Sequence, residues 1–147
     1  MGEADRDADF VATSYPLVTD AKDEVSLVLN AVPEEPYQPG DKPIAFVFGH
    51  GLWNDLEVDK TYEWWETLDS SIKAKAPWLY EDGTAFPRLF ITPTASGINK
   101  PEVFWPSQGN LRMKSFEETV GPWMQERGID HLGMFNASIQ YNSFDGT

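Results

Sequence analysis

The 147-residue sequence contains no cysteine, which excludes disulfides, thiolate metal ligands and cysteine nucleophiles without fixing the compartment. It also lacks an apolar run near the ~20 residues that a membrane-spanning helix needs, and the acids after Met1 are unlike a signal peptide. The two histidines, His50 and His131, lie far apart in the sequence and make a poor metal site. We therefore expect no membrane segment, no metal and no cofactor.

Basic residues are scarce: 11 Lys and Arg stand against 24 Asp and Glu, for a net charge of −13. Such a surface repels phosphates, which argues against a nucleic-acid partner and disfavours anionic membrane surfaces. Nothing in the composition specifies an oligomeric state.

Strand-like and helix-like patterns alternate along the chain, and the length fits one domain. The strand-like runs are residues 10–15, 44–48 and 89–92 and a piece within 129–139, and the helical patterns are 21–31, 58–76 and 111–127. This order predicts an α/β fold with a parallel sheet and helices on its faces. Residues 1–9 are polar and predict a disordered end, so the domain spans 10–147.

Three details of this prediction can be checked against the structure. The continuous apolar run at 44–48 predicts a strand that is buried on both faces. Residues 95–110 are predicted to form a long loop. Pro122 is predicted to kink or split the helix over 111–127.

Ligands of parallel α/β sheets bind beyond the carboxyl ends of the strands, and two such segments carry candidate chemistry. After the run at 44–48, Gly51 lets the chain turn sharply and Asn54 can donate a hydrogen bond to a developing oxyanion. The alternative is that Asn54 or Asp55 caps the next helix. At the other end of the chain, Asp145 can orient a catalytic histidine, or belong to a simple Asp-Gly turn.

Together these segments resemble the SGNH (GDSL-type) hydrolases, in particular the PC-esterase branch of polysaccharide acyl-esterases. Residues 51–55, Gly-Leu-Trp-Asn-Asp, resemble the Gly-x-Asn-Asp block after that family's third strand. Residues 145–147, Asp-Gly-Thr, resemble the start of its Asp-x-x-His block. The resemblance covers about residues 10–147, the family's C-terminal two-thirds. It implies a three-layer, SGNH- or flavodoxin-like sandwich that lacks its first strand.

The resemblance also implies a mechanism, in which a serine attacks an ester carbonyl, a histidine takes its proton and an aspartate holds the histidine. Asn54 would then be an oxyanion-hole donor, Asp145 the triad acid and Gly51 the residue that shapes the loop beneath Asn54. The expected partner is an acylated carbohydrate or another ester such as a lipid ester. Relatives act in the secretory pathway or outside the cell.

The sequence departs from the family pattern in three ways. The spacing from Gly51 to Asn54 is one residue longer than in the family block. No Gly-Asp-Ser block occurs, and Ser14 and Ser96 follow strands without that context. The expected histidine would come directly after Thr147. The resemblance therefore predicts a fragment of a serine acyl-esterase or O-acyltransferase that is inactive as given.

A second interpretation is a non-catalytic glycan-binding module of the same fold. Trp53, Trp105 and Tyr141 would surround the cleft, with His50 beside the same loop. A third, an unrelated flavodoxin-like domain, is disfavoured because no glycine-rich phosphate loop follows the first strand.

Overall fold

The computed structural model describes residues 21–42, 44–81, 86–97 and 100–144. Its elements are α1 (Ala21–Ala31), β1 (Phe46–Phe48), α2 (Val58–Lys75), β2 (Arg88–Ile91), α3 (Trp105–Gln108), α4 (Asn110–Gln125), β3 (Asp130–Leu132) and α5 (Met134–Phe144). The predicted disordered end at 1–9 and the predicted strand at 10–15 lie outside these residues.

The three strands form one parallel sheet in the order β1-β2-β3. Parallel neighbours need crossover connections, and α2 and α4 lie within the two connections. Phe48 and His131 are both in register with Phe90 and therefore share its face of the sheet. On that face Phe48 stacks on Trp65 of α2 at 4.8 Å, and the His131 ring packs against Gly121 of α4. The predicted α/β class with a parallel sheet is confirmed.

Both crossover helices bury an apolar stripe, and each such side chain stabilises the fold by roughly 1.5–3 kcal/mol. The buried residues of α4 include Met113, Phe116, Val120 and Met124. Those of α2 are Thr61, Trp64, Trp65, Leu68 and Ile72. Val58 and Tyr62 of the same helix are only half-buried.

The prediction that the first apolar run is buried on both faces is wrong. In β1 the side chain of Val47 is 61% exposed. Successive strand residues point to opposite faces, so Val47 points away from the face that Phe46 and Phe48 share. Within the described residues β1 pairs with β2 alone, and the strand most deeply buried is β2, whose Phe90 is fully buried.

Helix α4 runs through Pro122 to Gln125, so the proline does not split the helix, and a kink there stays a prediction. Only one backbone hydrogen bond is lost at the proline, while Val120 and Met124 are fully buried on either side and hold the helix in place. Gly128 adopts a φ of 70° and donates its N–H to the Gln125 carbonyl at 3.0 Å. A glycine with positive φ just past the end of a helix is a common way to end it.

Two predicted irregular or extended segments are partly helical. The predicted loop at 95–110 contains a 3-10 turn at Glu102–Phe104 and then α3, where Pro106 occupies a first-turn position that tolerates proline. The predicted strand within 129–139 covers only β3, and α5 begins at Met134. A distant side chain, Glu117, supports the start of α5, so the local pattern could not show it.

Candidate functional site

The segments that follow the three parallel strands meet at the carboxyl edge of the sheet, where ligands of this fold class bind. Residues 49–56 follow β1, residues 92–97 follow β2, and residues 133–136 follow β3. The candidate site is built from these segments and from the helices beneath them.

The loop after β1 has a strained backbone. Gly51 is buried with a φ of 117°, and a Cβ there would lie 2.5 Å from the Phe116 ring. Asp55 and Leu56 have φ values of 52° and 58° and are the two non-glycine residues in the described part of the chain with positive φ. Such conformations cost roughly 1–3 kcal/mol each and cluster at functional sites. The Leu56 N–H closes the loop on the Gly51 carbonyl at 2.8 Å.

His50 and Asn54 are joined in one chain of hydrogen bonds. The Asn54 Nδ2–H donates to His50 Nε2 at 2.9 Å, and His50 Nδ1–H donates to Thr61 Oγ1 at 2.9 Å. The Thr61 hydroxyl in turn donates to the Glu57 carbonyl at 3.3 Å. This arrangement makes Nε2 the acceptor and Nδ1–H the donor of the His50 ring, and it requires a neutral imidazole. A carboxamide and a hydroxyl thus fix the histidine from both sides.

The surroundings of His50 favour that neutral state. Its ring stacks on Trp64 at 4.6 Å, and burial lowers the pKa of His50 from 6.5 to about 4. His50 therefore carries no charge at neutral pH, and its Nε2 lone pair is engaged by Asn54. The alternative that Asn54 or Asp55 merely caps the next helix is wrong, because Glu57 is the N-cap of α2 and no side chain caps it.

Two side chains tie the strained loop to the following helices. Gln108 of α3 is buried and donates its Nε2–H to the Leu52 carbonyl at 2.9 Å. Arg112 of α4 donates its Nε–H to the Asp55 carbonyl at 2.9 Å. Ser96 lies beside them, and its hydroxyl donates to the Gln108 carbonyl at 2.6 Å. Ser96 is thus a structural link between these segments, with no histidine partner in the described residues.

A second polar cluster, which the sequence analysis missed, centres on Glu117 of α4. This carboxylate is only 5% exposed. Its Oε2 accepts the Thr92 hydroxyl at 2.6 Å and the Phe135 N–H at 2.9 Å, and its Oε1 accepts the Asn136 Nδ2–H at 3.1 Å. Thr92 Oγ1 also accepts the Met134 N–H at 3.0 Å. The cluster joins the ends of β2 and β3 to the start of α5.

Hydrogen-bond donors and a helix N-terminus surround the Glu117 carboxylate. Glu117 takes part in none of the ion pairs formed among the described residues. It faces the N-terminus of α5, whose dipole favours a negative charge. The sequence did carry a sign of it, since Glu117 lies four residues after Met113 and four before Gly121, on the buried face of the helix.

Of the other predicted site residues, only Trp105 has a described side chain, and it takes part in neither cluster. Trp105 is exposed on α3, and its indole N–H donates to the Lys100 carbonyl at 3.0 Å. Trp53 lies in the 3-10 turn Leu52–Asn54 and Tyr141 in α5, with side chains beyond the described part of the structure. The predicted triad acid, Asp145, falls outside the described residues.

No metal site or membrane span is found in the part of the chain that the structure describes. No group of three or more metal-ligating side chains occurs there, and no helix there has the length and apolar character to cross a membrane. His131 is held by packing against Gly121, and its buried Nε2 has no partner among the described residues.

Comparisons of the chain with protein-family models, with curated proteins and with solved structures found no match.

Proposed function

We propose that the carboxyl edge of this sheet is part of an SGNH-like ester site, of the kind found in serine acyl-esterases and O-acyltransferases that act on carbohydrate or lipid esters. In this proposal the parallel sheet is the core of a three-layer sandwich of the SGNH type. Asn54 donates to the oxyanion, Gly51 shapes the loop beneath it, and Asp145 is the triad acid.

The observation that carries the proposal is the fixed carboxamide of Asn54 at the end of β1. One of its N–H groups is held by His50 at 2.9 Å, and the other has no acceptor among the described residues. A donor that is already oriented adds no reorganisation when charge develops on a substrate oxygen. The strained backbone at Asp55 and Leu56 supports the same assignment, since strain of this kind gathers at sites with a function.

In this proposal the chain recognises the ester, and none of its residues is assigned as the nucleophile. The sequence has no Gly-Asp-Ser block. Neither nitrogen of His50 contacts a serine, since one is bonded to Asn54 and the other to Thr61. We therefore expect the chain to bind esters without hydrolysing them, because loss of triad members removes most of the rate.

The test is a titration by NMR with triacetin, a small soluble ester, and with glycerol, its deacylated product. We expect triacetin alone to shift the side-chain Nδ2 resonance of Asn54. In Asn54→Ala the affinity should fall roughly fivefold, the loss expected for one hydrogen bond. Asn30→Ala, on the exposed surface of α1, is the matched control and should bind triacetin like the parent chain.

Equal responses to triacetin and glycerol would overturn the ester site. So would an Asn54→Ala variant that keeps the parent affinity. Loss of binding in Asn30→Ala would mean that the titration reports general surface changes, and the assignment to Asn54 would fail.

A second candidate function is non-catalytic glycan binding, and the exposed ring of Trp105 favours it. The indole N–H is held by the Lys100 carbonyl, so the ring keeps one orientation in which a sugar can stack. Fluorescence titration with a deacylated xylo-oligosaccharide separates the two functions. Saturable quenching that is lost in Trp105→Ala and kept in Asn54→Ala would favour the glycan module.

A further inference from the structure

The loop that carries Asn54 is closed by its own backbone, in a conformation that is strained. The Gly51 carbonyl accepts the N–H groups of Asn54 at 3.1 Å and of Leu56 at 2.8 Å. Both Asp55 and Leu56 have positive φ, and strain of this kind costs free energy comparable to what a hydrogen bond provides. The bonds within the loop do not attach it to its surroundings, so contacts from other elements must offset the strain.

Two side chains from the following helices hold the loop on either side of Asn54. Gln108 of α3 donates its Nε2–H to the Leu52 carbonyl at 2.9 Å. Arg112 of α4 donates its Nε–H to the Asp55 carbonyl, also at 2.9 Å. One carbonyl belongs to a residue before Asn54 and the other to the residue after it. The backbone that carries the carboxamide is therefore held at both ends.

A third contact comes from the same face of α4. Phe116 lies four residues after Arg112, and residues four apart share one face of an α-helix. Its ring lies under Gly51, where a Cβ would be 2.5 Å from a ring atom. Gln108 and Phe116 are buried, whereas Arg112 is exposed. Of these three contacts, the one from Arg112 is therefore the one that can be removed with the least effect on the core.

We infer that Gln108 and Arg112 are positioning residues for Asn54, which hold the strained loop in the form that aims its carboxamide. In that form one N–H of the carboxamide is bonded to His50 Nε2 and the other is left for a ligand. Without the two bonds the loop relaxes, and the donor is no longer oriented in advance. The inference rests on the proposed function and deepens it, since it names the contacts that keep the oxyanion donor in place.

The first test needs no ester, because it observes the His50 ring by ¹⁵N NMR at neutral pH. Nε2 accepts from Asn54 and Nδ1 carries the proton, so the parent chain should show two well-separated ring resonances. In Arg112→Ala the ratio of held to released loop should fall roughly fivefold, the change expected for one hydrogen bond. The two resonances should then move toward each other, since the ring that loses Asn54 exchanges more freely between its tautomers.

Three further variants show whether the hydrogen bond is responsible. Gln108→Met removes the other donor and should change the ring resonances in the same direction. Arg112→Lys keeps a donor for the carbonyl and should restore part of the separation. Lys114→Ala is the matched control, because it removes an exposed cation of the same helix that pairs with Glu118 at 3.6 Å, and it should leave the resonances unchanged. Urea denaturation checks that each variant is folded.

The second test is a double-mutant cycle on the affinity for triacetin. Arg112→Ala alone should lower the affinity roughly fivefold, as Asn54→Ala does. The variant with both changes should bind no more weakly than Asn54→Ala, because a positioning residue acts through a side chain that is already missing. Additive losses would mean that Arg112 contacts the ester itself, and they would overturn the positioning role.

The two tests separate this inference from the ester site. Ring resonances that stay unchanged in Arg112→Ala or Gln108→Met, or that change equally in Lys114→Ala, would overturn the positioning role and leave the ester site standing. Shifted resonances in a chain that does not respond to triacetin would refute the ester site. They would leave Gln108 and Arg112 as the residues that orient Asn54.

Discussion

The two polar clusters at the carboxyl edge of the sheet each hold one titratable side chain, and their surroundings favour opposite charge states. His50 lies between a carboxamide and a hydroxyl, and burial lowers its pKa to about 4. Glu117 accepts three hydrogen bonds, two of them from residues in the first turn of α5. Neutral partners on both sides suit an uncharged ring, whereas donors and a helix N-terminus suit an anion.

We therefore expect the two clusters to lose their stabilising effect under different conditions. Removing Glu117 leaves the buried Phe135 N–H without an acceptor, and such a group is costly at any pH. His50 is uncharged at neutral pH, so its cluster is sensitive to acid, which forces a proton onto a half-buried ring.

The largest expected effect is that of Glu117→Ala. The Thr92 hydroxyl and the Phe135 N–H lose their carboxylate acceptor, and the N-terminus of α5 loses its anion. We expect the free energy of unfolding to fall by about 3 kcal/mol. Urea denaturation followed by circular dichroism measures the change.

Two further variants test whether the carboxylate itself is responsible. Glu117→Gln keeps the shape but offers one acceptor oxygen where the carboxylate offers two, so its loss should be intermediate. Glu118→Gln changes the next residue along α4, which is exposed and pairs with Lys114 at 3.6 Å, and should change stability by less than about 0.5 kcal/mol. If Glu117→Ala kept the urea midpoint of the parent chain, the contrast between the two clusters would be wrong.

The second expected effect is a pH dependence that comes from His50. Its pKa is about 4 in the folded chain against 6.5 for the ordinary side chain, so the unfolded chain binds more protons between these values. The contribution to stability is complete above pH 6.5 and is lost as pH falls toward about 4. The shift corresponds to a change on the order of 3 kcal/mol across that window.

Urea midpoints between pH 7 and pH 4 for the parent chain and for His50→Gln measure this slope. Carboxylates titrate in the lower part of the window in both chains, so the difference between the two slopes isolates the histidine. Parallel slopes would mean that His50 takes up a proton as easily in the folded chain as in the unfolded chain. Its description as a half-buried neutral ring would then be wrong.

The smallest effects come from the threonine in each cluster. Thr92→Val removes a donor to a carboxylate and should cost about 2 kcal/mol, within the range for hydrogen bonds to charged groups. Thr61→Val removes the acceptor of a neutral imidazole and a donor to the Glu57 carbonyl, both uncharged groups, and should cost about 1 kcal/mol. Thr67→Val, whose hydroxyl bonds the Glu63 carbonyl on the same helix, is the control for valine in α2. Equal costs for Thr61 and Thr92 would contradict the contrast.

Periodicity predicted the helices well because their apolar residues repeat within one element. The predicted bounds of the first helix agree with α1, and the predicted start of the second, Val58, with that of α2. What periodicity could not predict depends on contacts between distant elements. The run at 44–48 looks buried on both faces, yet Val47 is exposed because no described element covers its side of β1.

Part of the candidate site was also predictable, namely the part that depends on a local sequence pattern. The sequence located the loop at Gly51 and Asn54, since a glycine-rich turn after a strand is a local pattern. It did not show that Asn54 turns back to His50, or that His50 reaches Thr61, 11 residues further along the chain. Glu117 was missed because its partners lie 18 and 25 residues away.

Helix α4 supports both clusters with consecutive residues, since Phe116 lies under Gly51 and Glu117 binds the start of α5. An α-helix turns about 100° per residue. Inserting or deleting one residue in the first half of α4 would therefore swing both supports away from their loops at the same time. We expect natural variation in length to avoid residues 110–117 and to fall instead in the irregular stretch between β2 and α3. Any relatives of this chain should differ in length there while keeping that helix in register.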